Sequence, residues 1–407
     1  MPTVLIYTSP ARGHLYPMMD VALELRARGH RVVVQTLADE AATLAAAGIE
    51  HRPIHPRIEA LPLEDHQFGN PLSASRHAMG RWLARAPFEQ EDLAATTAEL
   101  HPDLLVVDAN TWGAATFAEA QRRPWASFLP YVLPAPSRDA PAFGPGFAPP
   151  RGPFDRLRDR FVWWVFGLAT AGLLAELNRM RAAASLPPLP GIPALYTRAD
   201  RVLYRTAEPF EYPRSDWPAP IRAIGPGLWA PPGDLPAWIA DLPRPRVLVS
   251  VSTEYQADDA IVTTALDSLG GGPGSVVVTT AALDPARFRA PGQNVRITRF
   301  LPHAAVVPHI DVVVTHGGMG TTQRCLAAGV PMVVVPWGRD QNESARRVEE
   351  CGAGVRLPRS RLSAASLREA VQTALGRRSG AGTVARAFRQ AGGARRGVEI
   401  LEELLPS

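Results

Sequence analysis

DVVVTHGGMGTTQRCLAAGVPMVVVPWGRDQ, residues 311–341, has the order strand, glycine loop, helix, strand, loop. A β-branched run ends at His316, Gly317, Gly318 and Gly320 follow, and the helical stretch is expected to open at Thr321. Glycines let a backbone approach an anion closely, and a helix start carries a partial charge of about +0.5. An imidazole, two hydroxyls (Thr321, Thr322) and free backbone N–H groups thus converge on one point, which suits a bound diphosphate and so a nucleotide-linked substrate. The plainer reading is a helix cap by Thr321, although a cap alone does not require three glycines. By contrast, the glycines of LGGGPGS at 269–275 precede a strand and read as a turn.

Outward from this segment the same alternation recurs. Strands are expected at 247–252, 276–280, 295–300, 312–315 and 332–335, and in the first half at 4–8, 31–36 and 104–108, with helical stretches between them. Alternation of this kind implies parallel sheets covered by helices, so the chain reads as α/β with two Rossmann-like, doubly wound domains. The proline-rich passage WPAPIRAIGPGLWAPPGDLP cannot continue a helix or a central strand and reads as a linker. The expected organisation is 1–216, linker 217–236, 237–382, and a helical tail at 383–407, broken at Gly392 and Gly393, that could cross back onto the first domain. Ligands are expected in the crevice facing the carboxyl ends of both sheets.

Composition narrows the function classes. At 407 residues the chain exceeds one ordinary core. Its 43 basic residues are all arginine, the net charge of +4 is small, and no aromatic platforms interleave with the arginines, so nucleic-acid binding is not expected. Cys325 and Cys351, the only cysteines, fall in helical stretches; neither a disulfide framework nor a zinc site is implied, and a reducing cytoplasm fits. MPTVLIYTSP lacks a basic n-region and reads as a first strand. The apolar run FVWWVFGLATAGLL, 161–174, is shorter than the roughly 20 residues a spanning helix needs, so no transmembrane segment is expected.

In the first domain, strand VLIYT leads into the loop SPARGH, which sets Gly13 and His14 at the carboxyl edge of the sheet, with a helix expected to open at Leu15. Imidazole titrates near pH ~6.5 and can serve as a general base. Asp108 ends a strand at the corresponding edge and would fix the tautomer; separately, each residue could merely serve a helix start. In the second domain, Asp340 and Gln341 could reach sugar hydroxyls, while DQNE also reads as a capping box between Asp340 and Glu343. Phe300 and Leu301 close a strand beside the glycine loop, where a base could stack or a core phenylalanine could sit. The passage around Trp163 and Trp164, with Trp82 and Phe88, is read either as an apolar wall for a greasy substrate or as a helix packed on the sheet.

With these residues placed, the chain resembles the family 1 glycosyltransferases of the GT-B fold, chiefly the bacterial members that decorate macrolides, enediynes and aromatic polyketides. The resemblance runs the whole length and rests on SPARGHLYP, on RFLPHAAVVPHIDVVVTHGGMGTT and on GVPMVVVPWGRDQ. It implies that His14 deprotonates the acceptor with Asp108 behind it, that Phe300 stacks on the nucleobase and Leu301 meets its edge through the backbone, and that Thr253, His316 and Thr321 hold the diphosphate. Arg324 stands where many members carry a ribose-binding glutamate, which favours a dTDP-sugar over a UDP-sugar; Ser252 and His303 are further departures, from glycine and glutamine. The implied reaction is an inverting transfer without metal or other cofactor, from a nucleoside-diphosphate sugar to a hydroxyl of a hydrophobic natural product, by a monomer or homodimer. The alternatives are a non-catalytic, nucleotide-binding homologue and an NAD-dependent oxidoreductase, against which G-G-x-G departs from the dinucleotide fingerprint.

Overall fold

The structure is a computed structural model and describes residues 1–64, 67–68 and 71–405. Two all-parallel sheets form its frame. The first contains β1 (Thr3–Tyr7), β2 (Arg31–Thr36), β3 (Glu50–Pro53), β4 (Leu104–Asp108), β5 (Trp125–Leu129), β6 (Arg201–Tyr204) and β7 (Ile221–Ala223), in the order β3-β2-β1-β4-β5-β6-β7. The second contains β8 (Arg246–Ser250), β9 (Ser275–Thr279), β10 (Val295–Thr298), β11 (Val312–Thr315), β12 (Met332–Val334) and β13 (Gly354–Arg356), in the order β10-β9-β8-β11-β12-β13. Strand order reverses between β1 and β4 and between β8 and β11, and a doubly wound sheet opens a ligand crevice at that switch. His14 and Asp108 lie at the first switch, and His316 and Thr253 at the second.

The central strands are apolar and β-branched on both faces because helices cover both faces. Val4 and Ile6 enter one core and Leu5 and Tyr7 the other, the two-residue period of a strand. Two expected boundaries move. β7 lies inside the expected linker and pairs with β6, so the connector begins only after Ala223; an edge strand tolerates the surrounding prolines. At the other end, the Arg378–Gln390 helix stays on the second domain with Val384 and Phe388 in its core. The chain turns at Gly392 (φ +89°), and the Gly393–Glu402 helix lays Val398, Ile400 and Leu401 into the first domain, where Glu402 pairs with Arg28 at 2.9 Å.

The apolar run at 161–174 belongs to a 31-residue helix, Pro153–Ala183, with an 18-residue window of mean hydropathy 1.4. The whole helix is longer than the apolar run and passes for a membrane crossing by length and composition only, a test that helices of soluble proteins also pass. One face of the helix is docked, with Leu177 buried against Met79, Leu83 and Trp112.

A buried ion cluster joins the halves. The guanidinium of Arg347, on the Gln341–Glu350 helix, donates to Glu343 at 2.9 Å and to Glu211 of the first domain at 3.0 Å, and Tyr204 donates to the other oxygen of Glu211. Glu343 also accepts from the backbone N–H groups of Gly144 and Gly146, each at 2.9 Å, so its carboxylate does not close the capping box expected with Asp340. Gly146, at φ +64°, lies so close that a Cβ would come within 2.5 Å of the Asn342 carbonyl oxygen. Arg347→Met would leave Glu343 without its cation and Glu211 with only the longer contact to Arg214, 3.5 Å. It should lower stability by about 3 kcal/mol in urea unfolding, and an unchanged midpoint would contradict a clamp at this position.

Candidate active site

The Arg12–Ala27 helix begins three residues earlier than expected, which places Gly13 and His14 in its first turn with Ala11 as N-cap. Arg12 anchors this turn to Asp39 at 2.7 Å and Glu40 at 2.5 Å, and no atom lies within 4 Å of the position a Cβ would take on Gly13. His14 then meets Asp108 at the end of β4, with Nδ1 and Oδ2 2.7 Å apart. The second oxygen of Asp108 accepts from the backbone N–H of Asn110 at 2.8 Å, which fixes the carboxylate. Thr111 precedes the Trp112–Ala120 helix without a side-chain capping bond, and Asp108 faces the histidine.

Sequence reading missed Asn110 and Tyr131. Tyr131 donates to Asn110 Oδ1 at 2.5 Å, which turns the amide so that Nδ2 lies 3.4 Å from His14 Nε2. With a donor facing Nε2 and a carboxylate on Nδ1, the ring carries its proton on Nδ1 and its lone pair on Nε2. Asn110 stands two residues beyond Asp108, but only the β5 connection, which brings in Tyr131, reveals its use. Arg85 lies on the same side, buried, and donates to the Leu61 carbonyl at 3.1 Å.

Among the described residues, the ring contacts of the four aromatic residues expected to line an acceptor are with residues other than His14. Trp82 packs edge-on against Trp112 in a satellite core, and Phe88 stacks on His55 at 5.3 Å. Trp163 packs on Phe166, and Trp164 is 59% exposed. Trp163 also lines a groove between this helix and Pro190–Pro193, and a ring contact to His14 is made by Tyr131, at 5.9 Å.

On the facing domain, Gly318 is the N-cap of the Met319–Ala327 helix, so Thr321 lies inside the first turn and does not cap it. The first backbone bond into this helix is from Thr322 N–H to the Gly318 carbonyl at 3.0 Å, leaving the N–H groups of Met319, Gly320 and Thr321 without intrahelical acceptors. Gly317 takes φ +96° and Gly318 lies under the imidazole of His316, where a Cβ would come within 2.6 Å of Nε2. Gly320 has open space on its Cβ side. Burial pushes the His316 pKa down to about 4, so the ring is neutral; its Nδ1 is 3.9 Å from Asp258, which instead accepts from Ser252 N–H at 2.8 Å.

Phe300 is 71% exposed, which removes the core reading, while the Leu301 side chain is in the core and leaves its backbone for any ligand contact. Thr253 is exposed beyond β8. His303 approaches Thr279 at 3.2 Å, and burial pushes its pKa down to about 4, with Arg324 adding in the same direction. Arg324 itself makes one long contact, 3.4 Å to the Trp229 carbonyl. Gln341 is committed to its loop: its Oε1 accepts from Trp337 N–H at 2.7 Å and Gly338 N–H at 3.0 Å, and its Nε2 donates to Gln256 at 2.7 Å. Asp340 differs from its neighbour. Its Oδ2 is buried with no hydrogen-bond partner among the described residues, burial raises its pKa, and Arg339 and His14 oppose that rise. An orphan carboxylate oxygen at that depth is costly unless a donor arrives.

A model of the EryCIII-like C-terminal domain, from erythromycin biosynthesis, matches residues 263–398. The chain is 32% identical over 392 residues to 4'-demethylrebeccamycin synthase of Lentzea aerocolonigenes, covering 91% of each. Among solved structures, the glycotransferase of kitacinnamycin has a TM-score of 0.78 at 24% identity, covering 100% of this chain and 99% of that one. Glycosyltransferase VinC in complex with dTDP has a TM-score of 0.70 at 21% identity, covering 99% of each. These likenesses assign the two-sheet frame to the GT-B fold.

Burial works to lower the His14 pKa, but the charge and hydrogen bond of Asp108 overcome it and hold the pKa above the usual value. Below that raised pKa the imidazole is protonated and cannot accept; above it, Nε2 is a base. Proton NMR titration should therefore find His14 changing charge above pH ~6.5, and Asp108→Asn should move the transition below the wild-type value. A His14 that titrates lower than it does in the Asn variant would contradict the pairing.

Proposed function

This chain belongs to the glycosyltransferases of bacterial natural-product biosynthesis, and on that premise we propose an inverting, metal-independent transfer of a hexose or deoxyhexose from a dTDP-sugar to a hydroxyl of a hydrophobic acceptor. The observation that carries the reading is the pairing, in one cleft, of a histidine whose Nε2 lone pair has only the long contact to Asn110, 3.4 Å, with a carboxylate oxygen, on Asp340, that has no partner among the described residues. The non-catalytic alternative leaves that dyad without a purpose.

In this reading the nucleobase stacks on Phe300, with the Leu301 backbone at its edge and His303 beside it. The diphosphate receives the N–H groups of Met319, Gly320 and Thr321, the Thr321 hydroxyl, the neutral His316 ring and Thr253; Gly317, Gly318 and Gly320 make room for it. Asp340 Oδ2 accepts from a sugar hydroxyl, and Gln341 holds the loop that presents Asp340. The acceptor O–H takes the place of Asn110 at His14 Nε2. As its oxygen attacks the anomeric carbon from the face opposite the diphosphate, Nε2 takes the proton, Asp108 stabilises the imidazolium, and the C1–O bond to phosphate breaks. Configuration inverts, and the departing charge falls on the helix start, where preorganised donors act most strongly.

Arg324 supports dTDP. It offers no acceptor to a ribose 2′-hydroxyl, so a uridine nucleotide would bury that donor without a partner, whereas thymidine has none to bury. The presence of dTDP in VinC agrees. Cys325 and Cys351 are free thiols, which suits a reducing, cytoplasmic setting.

A thermal-shift comparison should give a larger stabilisation by dTDP than by UDP, and Arg324→Glu should reverse the order; equal shifts from every nucleotide would remove the donor assignment. His14→Ala should keep the dTDP shift and lower product formation with a phenolic acceptor by on the order of 10²- to 10⁴-fold. Unchanged turnover in that variant would remove the base.

A further inference from the structure

The Pro153–Ala183 helix presents a seam that neither the fold nor the reaction uses. Phe154, Leu157, Phe161, Trp164 and Leu168 recur at alternating steps of three and four and are 85%, 63%, 59%, 59% and 61% exposed. This is the spacing that lines up on one side of a helix when another helix packs against it. The seam continues through Ala171 and Ala175, also exposed, and Gly167 and Gly172 leave the helix backbone bare beside them. The opposite side of the helix is occupied: Leu177 and Thr170 are buried against the first domain.

We propose that this seam is an interface between two copies of the chain, paired antiparallel about a twofold axis near Trp164. The seam is bulky in its first half and small in its second. Antiparallel pairing about Trp164 sets Phe154 and Leu157 of one copy against the Ala171–Ala175 region of the other, and Phe161 against Leu168. Large side chains then enter the space left by small ones, and the two Trp164 rings meet at the axis. The same patch meets itself, as a twofold contact requires.

The area is adequate. With aromatic side chains offering roughly 150–250 Å² each, the five exposed residues present on the order of 600 Å² per copy, or about 1,200 Å² across the pair, the lower bound of a stable interface. A groove of about 560 Å³ flanks the small half, between Gly167, Ala171 and Ala175 on the helix and Pro190–Pro193 beyond it, and would receive the partner's Phe154. A lipid surface is the competing occupant of any exposed apolar helix. It would gain little from Gly167, Ala171, Gly172 and Ala175, which offer few methylenes to bury, whereas a facing helix needs small residues there.

Sedimentation velocity of the full-length protein from about 1 to 100 µM, with and without vesicles of phosphatidylcholine and phosphatidylglycerol, tests the proposal. The expected result is a dimer that Trp164→Glu or Phe161→Glu weakens on the order of 100-fold or more, while circular dichroism and the dTDP thermal shift stay at wild-type values. Orientation is read by a mixed pair, Leu157→Cys in one copy and Ala171→Cys in the other, which should cross-link far faster than Leu157→Cys alone. A monomer throughout the range overturns the proposal, and so does a protein that floats with vesicles while remaining monomeric. A dimer indifferent to both charged substitutions overturns it as well.

Discussion

The guanidinium of Arg347, sealed between carboxylates from the two halves of the chain, ties the two sides of the cleft together, with Arg214 as a second, longer partner of Glu211 at 3.5 Å. A buried cation between two buried anions tolerates little displacement, because opening the cluster exposes an uncompensated charge to a low-dielectric interior. Glu343 extends the constraint by accepting from Gly144 and Gly146, which seats a first-domain loop on the helix that begins just after Asp340. Asp340 therefore cannot move relative to His14 without disturbing the clamp. The crossing tail adds a second tie, through Glu402 on Arg28.

Across the cleft the same side-chain pair, histidine with aspartate, is tuned in opposite directions by distance. At 2.7 Å, Asp108 outweighs burial and raises the His14 pKa; at 3.9 Å, with its carboxylate already engaged by Ser252, Asp258 cannot, and burial drives His316 down to about 4. One ring is thereby fit to receive a proton, and the other to sit neutral at a polar ligand. The orphan oxygen of Asp340 and the bare N–H groups of the Met319–Ala327 helix complete a surface that asks for a ligand with both donors and negative charge.

Much of this frame was legible from residue order. Strands and helices alternate along the sequence because both sheets are covered, so β1, β2, β4 and β8 to β12 appear as apolar runs, with His14, Asp108 and His316 beside their carboxyl ends, whereas the three-residue edge strand β13 does not stand out. What the sequence hid is tertiary. β7 is short and flanked by prolines, so it reads as linker until it pairs with β6. Glu343 has the spacing of a capping box, but one of its oxygens is taken by backbone donors 197 and 199 residues away and the other by Arg347. Asn110 acquires its role only through Tyr131, and Gln341 turns inward to its own loop. Apolar aromatics mislead most: Trp82 and Trp164 look alike in sequence, yet one is packed against Trp112 and the other faces solvent.

The central claim is that this cleft holds a nucleoside diphosphate with its sugar end toward His14, and a crystal structure with dTDP tests it most directly. The account predicts the thymine on Phe300, phosphate oxygens within about 3 Å of the Met319, Gly320 and Thr321 N–H groups, and the terminal phosphate directed at the space between Asp340 and His14. Diphosphate density elsewhere, or a base turned away from Phe300, would contradict it.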